Sequence, residues 1–307
     1  MSFPIYVAPL QGYTDAEWRL AHRRIYGDGA TAYYSPFVRV EHGEVRQRDL
    51  RDTTPTNEYL LVPQIIFRNK DEFTLLVEAL ERQGYRQIDL NIGCPFPPQV
   101  KRGRGAGALL HPEMLKEIGV IIERLPHISF SVKMRLGVDA LDQWRNCASV
   151  LNSMQLSHVT IHPRIARQGY KGELQLNELE ECISAIAHPI IYNGGVCAVE
   201  DIDRAMTISG ISGVMIGRGL LRRPSLIEEW RSQREWTAEE RFVAMCRFHQ
   251  SVYDLRRLRL SGGEAQVLQS MRTFWDYADG EVDRHFLKSL RKATSLSSYI
   301  SIISNEI

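Results

Sequence analysis

The α/β fold predicted for this chain is a (β/α)8 TIM barrel followed by a small C-terminal helical domain, and three observations predict it. Eight short apolar runs of β character alternate with amphipathic segments as far as about residue 220. Polar residues and glycines gather just past the ends of those runs, where a barrel carries its chemistry. Beyond Arg222-Arg223-Pro224 the β character stops. The expected division is 1–235 for the barrel and 236–307 for the helical unit.

The strands are expected at 5–8, 31–35, 61–66, 87–91, 129–134, 158–162, 189–193 and 213–217. An open doubly wound sheet is the competing arrangement, but it calls for a Gly-rich phosphate turn after the first strand, and that position reads APLQG. Between strands, DEFTLLVEALERQG (71–84) puts Phe73, Leu76, Val77 and Leu80 on one helical face and ends at a glycine. The segment 109–125 reads the same way, with Pro112 in the first turn, where a missing N–H is harmless. In the tail, Thr237 and Glu240 have the spacing of a capping box ahead of the helix FVAMCRFHQSVYDLRRL. SGGEA (261–265) is expected to connect two helices, and the segment from 282 to about 303 supplies one or two more.

The composition is that of a folded globular protein: 307 residues, 44% hydrophobic, 24% charged, with a net charge of +1. No stretch reaches the roughly 20 apolar residues that a membrane span needs. The start, MSFPIYVAPLQGYTD, lacks the basic and apolar regions of a secretion signal, so a cytoplasmic location is expected. The cysteines Cys94, Cys147, Cys182, Cys197 and Cys246 are odd in number and form no C-x-x-C pair. They are expected to be reduced thiols, with no metal site. Net charge neither requires nor excludes a polyanionic partner, because local clustering of cations decides that.

Functional groups are expected at the C-terminal strand ends. Cys94 sits in the loop NIGCPFPPQVKRGRGAG, either as a buried small hydrophobe or as a reactive group at the barrel mouth, and the flanking Gly93, Pro95, Gly103, Gly105 and Gly107 favour the second. Lys101, Arg102 and Arg104 beside it are placed to meet phosphate or to lower a thiol pKa, or else form a solvated charged loop. Lys133 ends an apolar strand. It reads equally as an ion-pair partner, a Schiff-base lysine or a cation beside an anionic cofactor. His162 and Arg164 alternate along one strand and so share a face, which weighs against a merely structural histidine. Asn193-Gly194-Gly195 and Gly217-Arg218-Gly219 follow the last two strands, where barrels commonly hold a phosphate.

Together these stretches resemble the tRNA-dihydrouridine synthase family: APLQGYTD, Gln64, DLNIGCP, VKMRLG, IHPRIARQGYKG, YNGGV and IGRGLL occur in family order over about 210 residues. The resemblance implies an FMN-dependent barrel with a helical tRNA-binding domain. It implies that Ala8, Pro9 and Leu10 lie against the flavin ring, Gln64 and Lys133 bond its pyrimidine edge, and His162 also contacts FMN. Asn193, Gly194, Gly195, Gly217 and Arg218 would hold the ribityl phosphate. Cys94 would be the general acid, Asn91 would position the uracil, and Arg135 and Arg164 would touch substrate. NADPH or NADH would be the reductant and tRNA the partner, with a monomer expected, no membrane and no metal.

For RNA contact, Arg284, Lys288, Arg291 and Lys292 share one helical face, and Arg256, Arg257 and Arg259 form a second cluster, with Lys101 and Arg102 near the mouth. A solvated face is the plain alternative, since acidic residues are frequent in the tail. Phe96-Pro97-Pro98 stands where the family often has a Ser-Lys pair, Leu10 where it often has Met, and GELQLNELE lacks the usual aromatic. These departures bear on which uridine is chosen. A barrel acting on a free pyrimidine or enone, and an RNA-binding module without catalysis, are the competing readings; the helical tail opposes the first, and Cys94, Lys133 and His162 oppose the second.

Overall fold

The computed structural model describes residues 3–306. In chain order the strands are β1 (Ile5–Val7), β2 (Ala32–Tyr34), β3 (Val40–Glu41), β4 (Glu44–Val45), β5 (Leu61–Val62), β6 (Gln64–Ile65), β7 (Gln87–Ile92), β8 (Ser129–Gly137), β9 (Leu156–Ile165), β10 (Ile190–Asn193) and β11 (Ile211–Ile216). Nine of them form one parallel sheet in the order β5-β2-β1-β11-β10-β9-β8-β7-β6. The two ends of that order, β5 and β6, are one stretch of chain interrupted at Pro63, so the sheet closes on itself. Proline has no N–H to donate to a ladder, but its carbonyl still accepts from Asp89 N at 2.9 Å. The nine strands therefore occupy the eight predicted segments, and the expected barrel is the observed one. The antiparallel pair β3–β4 and the short helix Gln47–Arg51 were not expected from the sequence.

Alternation along the strands sorts the core. Ile88, Leu90 and Ile92 of β7 are buried toward the outer helices, as are Phe130, Val132 and Met134 of β8. Their alternates, Asp89 and Asn91, Ser131 and Lys133, face the barrel axis, and register pairs Gln64 with Asp89, Asn91 with Lys133, and Arg135 with His162. The axis is apolar low down, around Ala32, Tyr34, Val62, Ile191 and Met215, and polar toward the mouth.

The helix Lys70–Arg82 is capped by Asn69, whose Oδ1 accepts from Glu72 N at 3.0 Å, and it buries the expected Phe73, Leu76, Val77 and Leu80. The helix Pro112–Glu123 begins at the expected proline. In the tail, Thr237 and Glu240 form the reciprocal cap of the helix Ala238–Arg259, at 3.1 and 2.8 Å. SGGEA is only partly a connection, because the next helix, Gly263–Arg272, starts inside it. Two more helices, Arg284–Lys292 and Leu296–Ser304, complete the tail.

The tail is seated on the barrel by its first helix. Phe248 packs edge-on to Trp18 at 5.4 Å. Arg256, buried, donates to Asp15 Oδ2 at 2.8 Å and to Ser270 O at 2.6 Å, while Arg259 reaches Glu17 at 2.6 Å and Asp52 at 3.5 Å. This corrects the reading of the 256–259 cluster as an RNA-binding face. Two of its three arginines are joined to carboxylates at the start of the first barrel helix and at Asp52, and among the described residues only Arg257 has no such partner.

Candidate active site

The C-terminal strand ends enclose a cleft of about 880 Å³, open solvent included. β1 contributes Ala8, Pro9 and Leu10 as one wall, held by Thr14 Oγ1, which accepts from Leu10 N at 2.9 Å. Gln64 enters from β6, Asn91 and the loop carrying Cys94 from β7, and Lys133 and Arg135 from β8. His162 comes from β9, Asn193, Gly194 and Gly195 from β10 and its turn, and Gly217 and Arg218 follow β11. Every residue that the sequence assigned to the flavin lies in this one cleft, together with Asn91, Cys94 and Arg135.

Cys94 is half-buried and its loop is tightly specified. Asn91 Oδ1 accepts from Gly93 N at 3.1 Å and from Cys94 N at 2.8 Å, while Cys94 O accepts from Ala106 N. Gly105 crosses at close range with φ of +58°. A Cβ there would come within 2.7 Å of the Cys94 Cβ, so no other residue fits without moving the cysteine. Burial pushes the thiol above its ordinary value, and the Phe96 N–H and the charges of Arg135 and Lys133 only partly oppose this. At neutral pH the group is a protonated thiol, suited to giving a proton.

Lys101, Arg102 and Arg104 are not what acts on that thiol. Arg104 is buried against Glu72 and Val40 O, with Nε 3.0 Å from Glu72 Oε2. Lys101 and Arg102 are exposed and line a separate hollow with Arg68 and His111.

Four cations gather at the cleft: Lys133, Arg135 and Arg218 line it, and Arg164 lies just behind, against His162. Among the described residues none of them has a carboxylate partner. Lys133 Nζ donates to Asn193 Oδ1 at 2.8 Å, Arg135 to Ile165 O at 3.0 Å, and Arg164 to Gly172 O at 3.1 Å. The Arg218 guanidinium lies 4.3 Å from the centre of the Tyr170 ring. Burial, then the neighbouring Arg135, lowers Lys133 to about 8 against weaker support from Asp89 and Cys94. Burial also lowers Arg135, to about 10. His162 is held well below its ordinary value by burial and by all four cations, so it is neutral. Its Nε2 accepts from Arg164 Nη1 at 2.9 Å, which leaves the proton on Nδ1.

Sequence reasoning missed two groups here. Tyr170, within the IHPRIARQGYKG stretch, lines the cleft and stacks with two guanidiniums, Arg218 and, at 5.4 Å, Arg135. Asp89, fully buried beneath the floor, accepts from Gln64 Nε2 and Ser131 Oγ, each at 2.6 Å. The DLN triplet was the available signal for it. Arg164 stands behind His162 rather than on the cleft wall. Arg284, Lys288, Arg291 and Lys292 are exposed on the helix Arg284–Lys292, whose opposite face buries Phe286, Leu287 and Leu290. Arg291 lies 3.5 Å from Asp279.

A family model described as dihydrouridine synthase matches residues 6–294. The chain is 32% identical over 243 residues to the tRNA-dihydrouridine(16) synthase of Neisseria meningitidis serogroup B, covering 73% of this chain and 70% of that protein. It is 28% identical over 281 residues to a Staphylococcus epidermidis protein named "Probable tRNA-dihydrouridine synthase", covering 88% of this chain and 82% of the relative. Among solved structures, histamine dehydrogenase from Rhizobium sp. 4-9 aligns with a TM-score of 0.52 at 10% identity, over 80% of this chain and 48% of that one, a likeness of fold.

Proposed function

The chain belongs to the dihydrouridine synthase family, and from that premise we propose that it reduces the C5–C6 double bond of uridines in tRNA, with FMN bound in the cleft and NADPH or NADH as reductant. The observation that carries this reading is the set of four cations, without carboxylate partners among the described residues, gathered near a protonated thiol.

The cleft fits an anionic flavin nucleotide on its own chemistry. Four cations crowded together, with no ion-pair partner among the described residues and only the buried Asp89 acting on Lys133, repel one another, and an anion relieves this. Gly194 and Gly195, both on the cleft wall, have φ of +139° and +71°, and a Cβ on either would come within 2.8 Å of Leu174, so the turn there is open to glycine and closed to other residues. Backbone N–H groups beside Arg218 suit a phosphate. Gln64, Lys133 and His162 then face the ring system, with Ala8, Pro9 and Leu10 as its apolar wall. When bound, FMN supplies the hydride for C6 of the uracil.

The chain's own residues do the remaining work. Cys94 gives its proton to C5, and the raised thiol pKa keeps that proton in place at neutral pH. Lys133, fixed by Asn193, provides positive charge where negative charge develops. Arg135 and Arg164 are assigned to the substrate side. A uridine in folded tRNA must leave its stack to reach such a cleft, at a cost of a few kcal/mol, and backbone contacts offset that cost. We assign those contacts to Arg284, Lys288, Arg291 and Lys292, with Lys101 and Arg102 nearer the mouth. On this reading residues 1–235 are the catalytic unit and 236–307 the RNA-binding unit, acting in the cytoplasm.

The test is anaerobic. The FMN-loaded protein is reduced with NADPH, mixed with unmodified tRNA, and followed by flavin absorbance. Reoxidation accelerated by tRNA supports the proposal. Failure to take up FMN, or reoxidation indifferent to tRNA, overturns it.

A further inference from the structure

Beneath the cleft floor runs a chain of hydrogen bonds that all point one way. Asp89 accepts from Gln64 Nε2 at 2.6 Å. Gln64 Oε1 accepts from Asn91 Nδ2 at 2.7 Å. Asn91 Oδ1 in turn accepts the N–H groups of Gly93 and Cys94, at 3.1 and 2.8 Å. A carboxamide can be turned end for end, exchanging donor and acceptor, but the two ends of this chain cannot. Backbone N–H groups only donate, and an ionised carboxylate only accepts. With donors at one end and an acceptor at the other, both amides must stand head to tail.

Taking the acceptor away leaves only the donor end to orient the pair and strands the buried Gln64 Nε2 without its acceptor, which favours turning the amide. A reversed Gln64 would set its NH2 against the NH2 of Asn91, and Asn91 would be relieved only by turning its oxygen away from Cys94. Asp89 is completely buried and, among the described residues, forms no ion pair, feeling Lys133 only at longer range, a costly place for a carboxylate that serves packing alone. Its compensation is the bonds from Gln64 and Ser131. We propose that Asp89 is a positioning residue that fixes the direction of the Gln64–Asn91 amide pair and, through it, the seat of Cys94 in the cleft. The same constraint fixes the order in which Gln64 offers donor and acceptor to the cleft, so a planar ligand edge is read in one orientation.

The importance of the relay for turnover rests on Cys94 as proton donor; the relay itself does not. Amide hydrogen exchange at Gly93 and Cys94, on the purified protein as isolated, reads it without tRNA or catalysis. Loss of one such bond corresponds to about a tenfold change in exchange. Asp89→Leu is expected to speed exchange at these two amides by about that factor while Val132, in the neighbouring strand, stays slow. Asp89→Asn, which keeps an oxygen toward Gln64 and can turn its nitrogen to Ser131, is expected to keep both amides slow. If Asp89→Leu fails to fold, Gln64→Met removes the middle link and is expected to give the same acceleration.

Wild-type exchange in Asp89→Leu or, where that protein does not fold, in Gln64→Met overturns the proposal. So does an Asp89→Asn protein as fast as Asp89→Leu, since direction would then not be the cause. In the kinetic arm, Asp89→Leu lowers kcat with the KM for tRNA unchanged. A wild-type protein inactive on uridine would sink the proposed function and leave the exchange result standing.

Discussion

Two groups of cations in this protein are alike in sequence and opposite in the fold. Arg256 and Arg259, where the helical tail meets the barrel, reach Asp15, Glu17 and Asp52. Lys133, Arg135 and Arg218, in the cleft, and Arg164 behind its wall reach carbonyls, an amide, an imidazole and an aromatic ring and, among the described residues, no carboxylate. The first group is satisfied within the protein and holds two parts of it together. The second is held in mutual repulsion, and on the proposed reading an anion from outside completes it. Clustering of positive charge does not by itself distinguish these groups; the carboxylates around one and not the other do.

The contrast can be broken at either group. The largest effect is expected from Arg256→Ala, which leaves Asp15 facing a vacated buried site and costs about 3 kcal/mol, lowering Tm by roughly 6–12 °C. Flavin affinity should not follow, and a parallel loss of flavin would show that the two groups are not separate. Arg218→Ala is expected to do the reverse in isothermal titration. Flavin binding weakens by about 10- to 100-fold, the value of a charge-assisted hydrogen bond, while Tm in the absence of ligand holds or rises.

A third variant sharpens the comparison through its sign. Lys133 titrates at about 8 in the fold against an ordinary 10.5. Between those values the unfolded chain binds more protons, so stability falls as pH drops from 10.5 through 8. Lys133→Met abolishes that slope and gains about 1 kcal/mol at pH 7, after allowance for partial exposure and the lost bond to Asn193. Denaturant melts at several pH values measure both. A Lys133→Met protein less stable than wild type at pH 7 would place Lys133 among the satisfied cations. The smallest effect belongs to the exposed face. Lys288→Ala should reduce the salt dependence of tRNA binding by about one phosphate contact and leave Tm unchanged.

How far the sequence could be read follows from how local each cause is. The barrel strands were legible because alternation within a strand is a short-range pattern: Asp89 and Asn91 between Ile88, Leu90 and Ile92 announce two faces. The Thr237–Glu240 cap spans three residues and was equally readable. The roles of Arg256 and Arg259 were not, because their carboxylates lie more than 200 residues away in the chain, 241 for Asp15 and Arg256. Asp89 was overlooked because its importance lies in the direction of bonds to Gln64 and Ser131, on two other strands. The break at Pro63 was visible as a proline, but its use in closing the barrel depends on which strands flank it. In the site, glycines and polar strand ends pointed to residues that the fold brings into one cleft, while the rise of the thiol pKa by burial, against the cations that would lower it, needed the third dimension.

The central claim is that Cys94 donates the proton that completes uridine reduction, and single-turnover formation of dihydrouridine tests it most directly. Reduced enzyme and unmodified tRNA are mixed, quenched at intervals and analysed by mass spectrometry of the digested nucleosides. Wild type is predicted to form dihydrouridine, and Cys94→Ala, with flavin content and Tm unchanged, to form it about 10²- to 10⁴-fold more slowly, the range expected for loss of a general acid. Dihydrouridine appearing at the wild-type rate in Cys94→Ala would contradict the account.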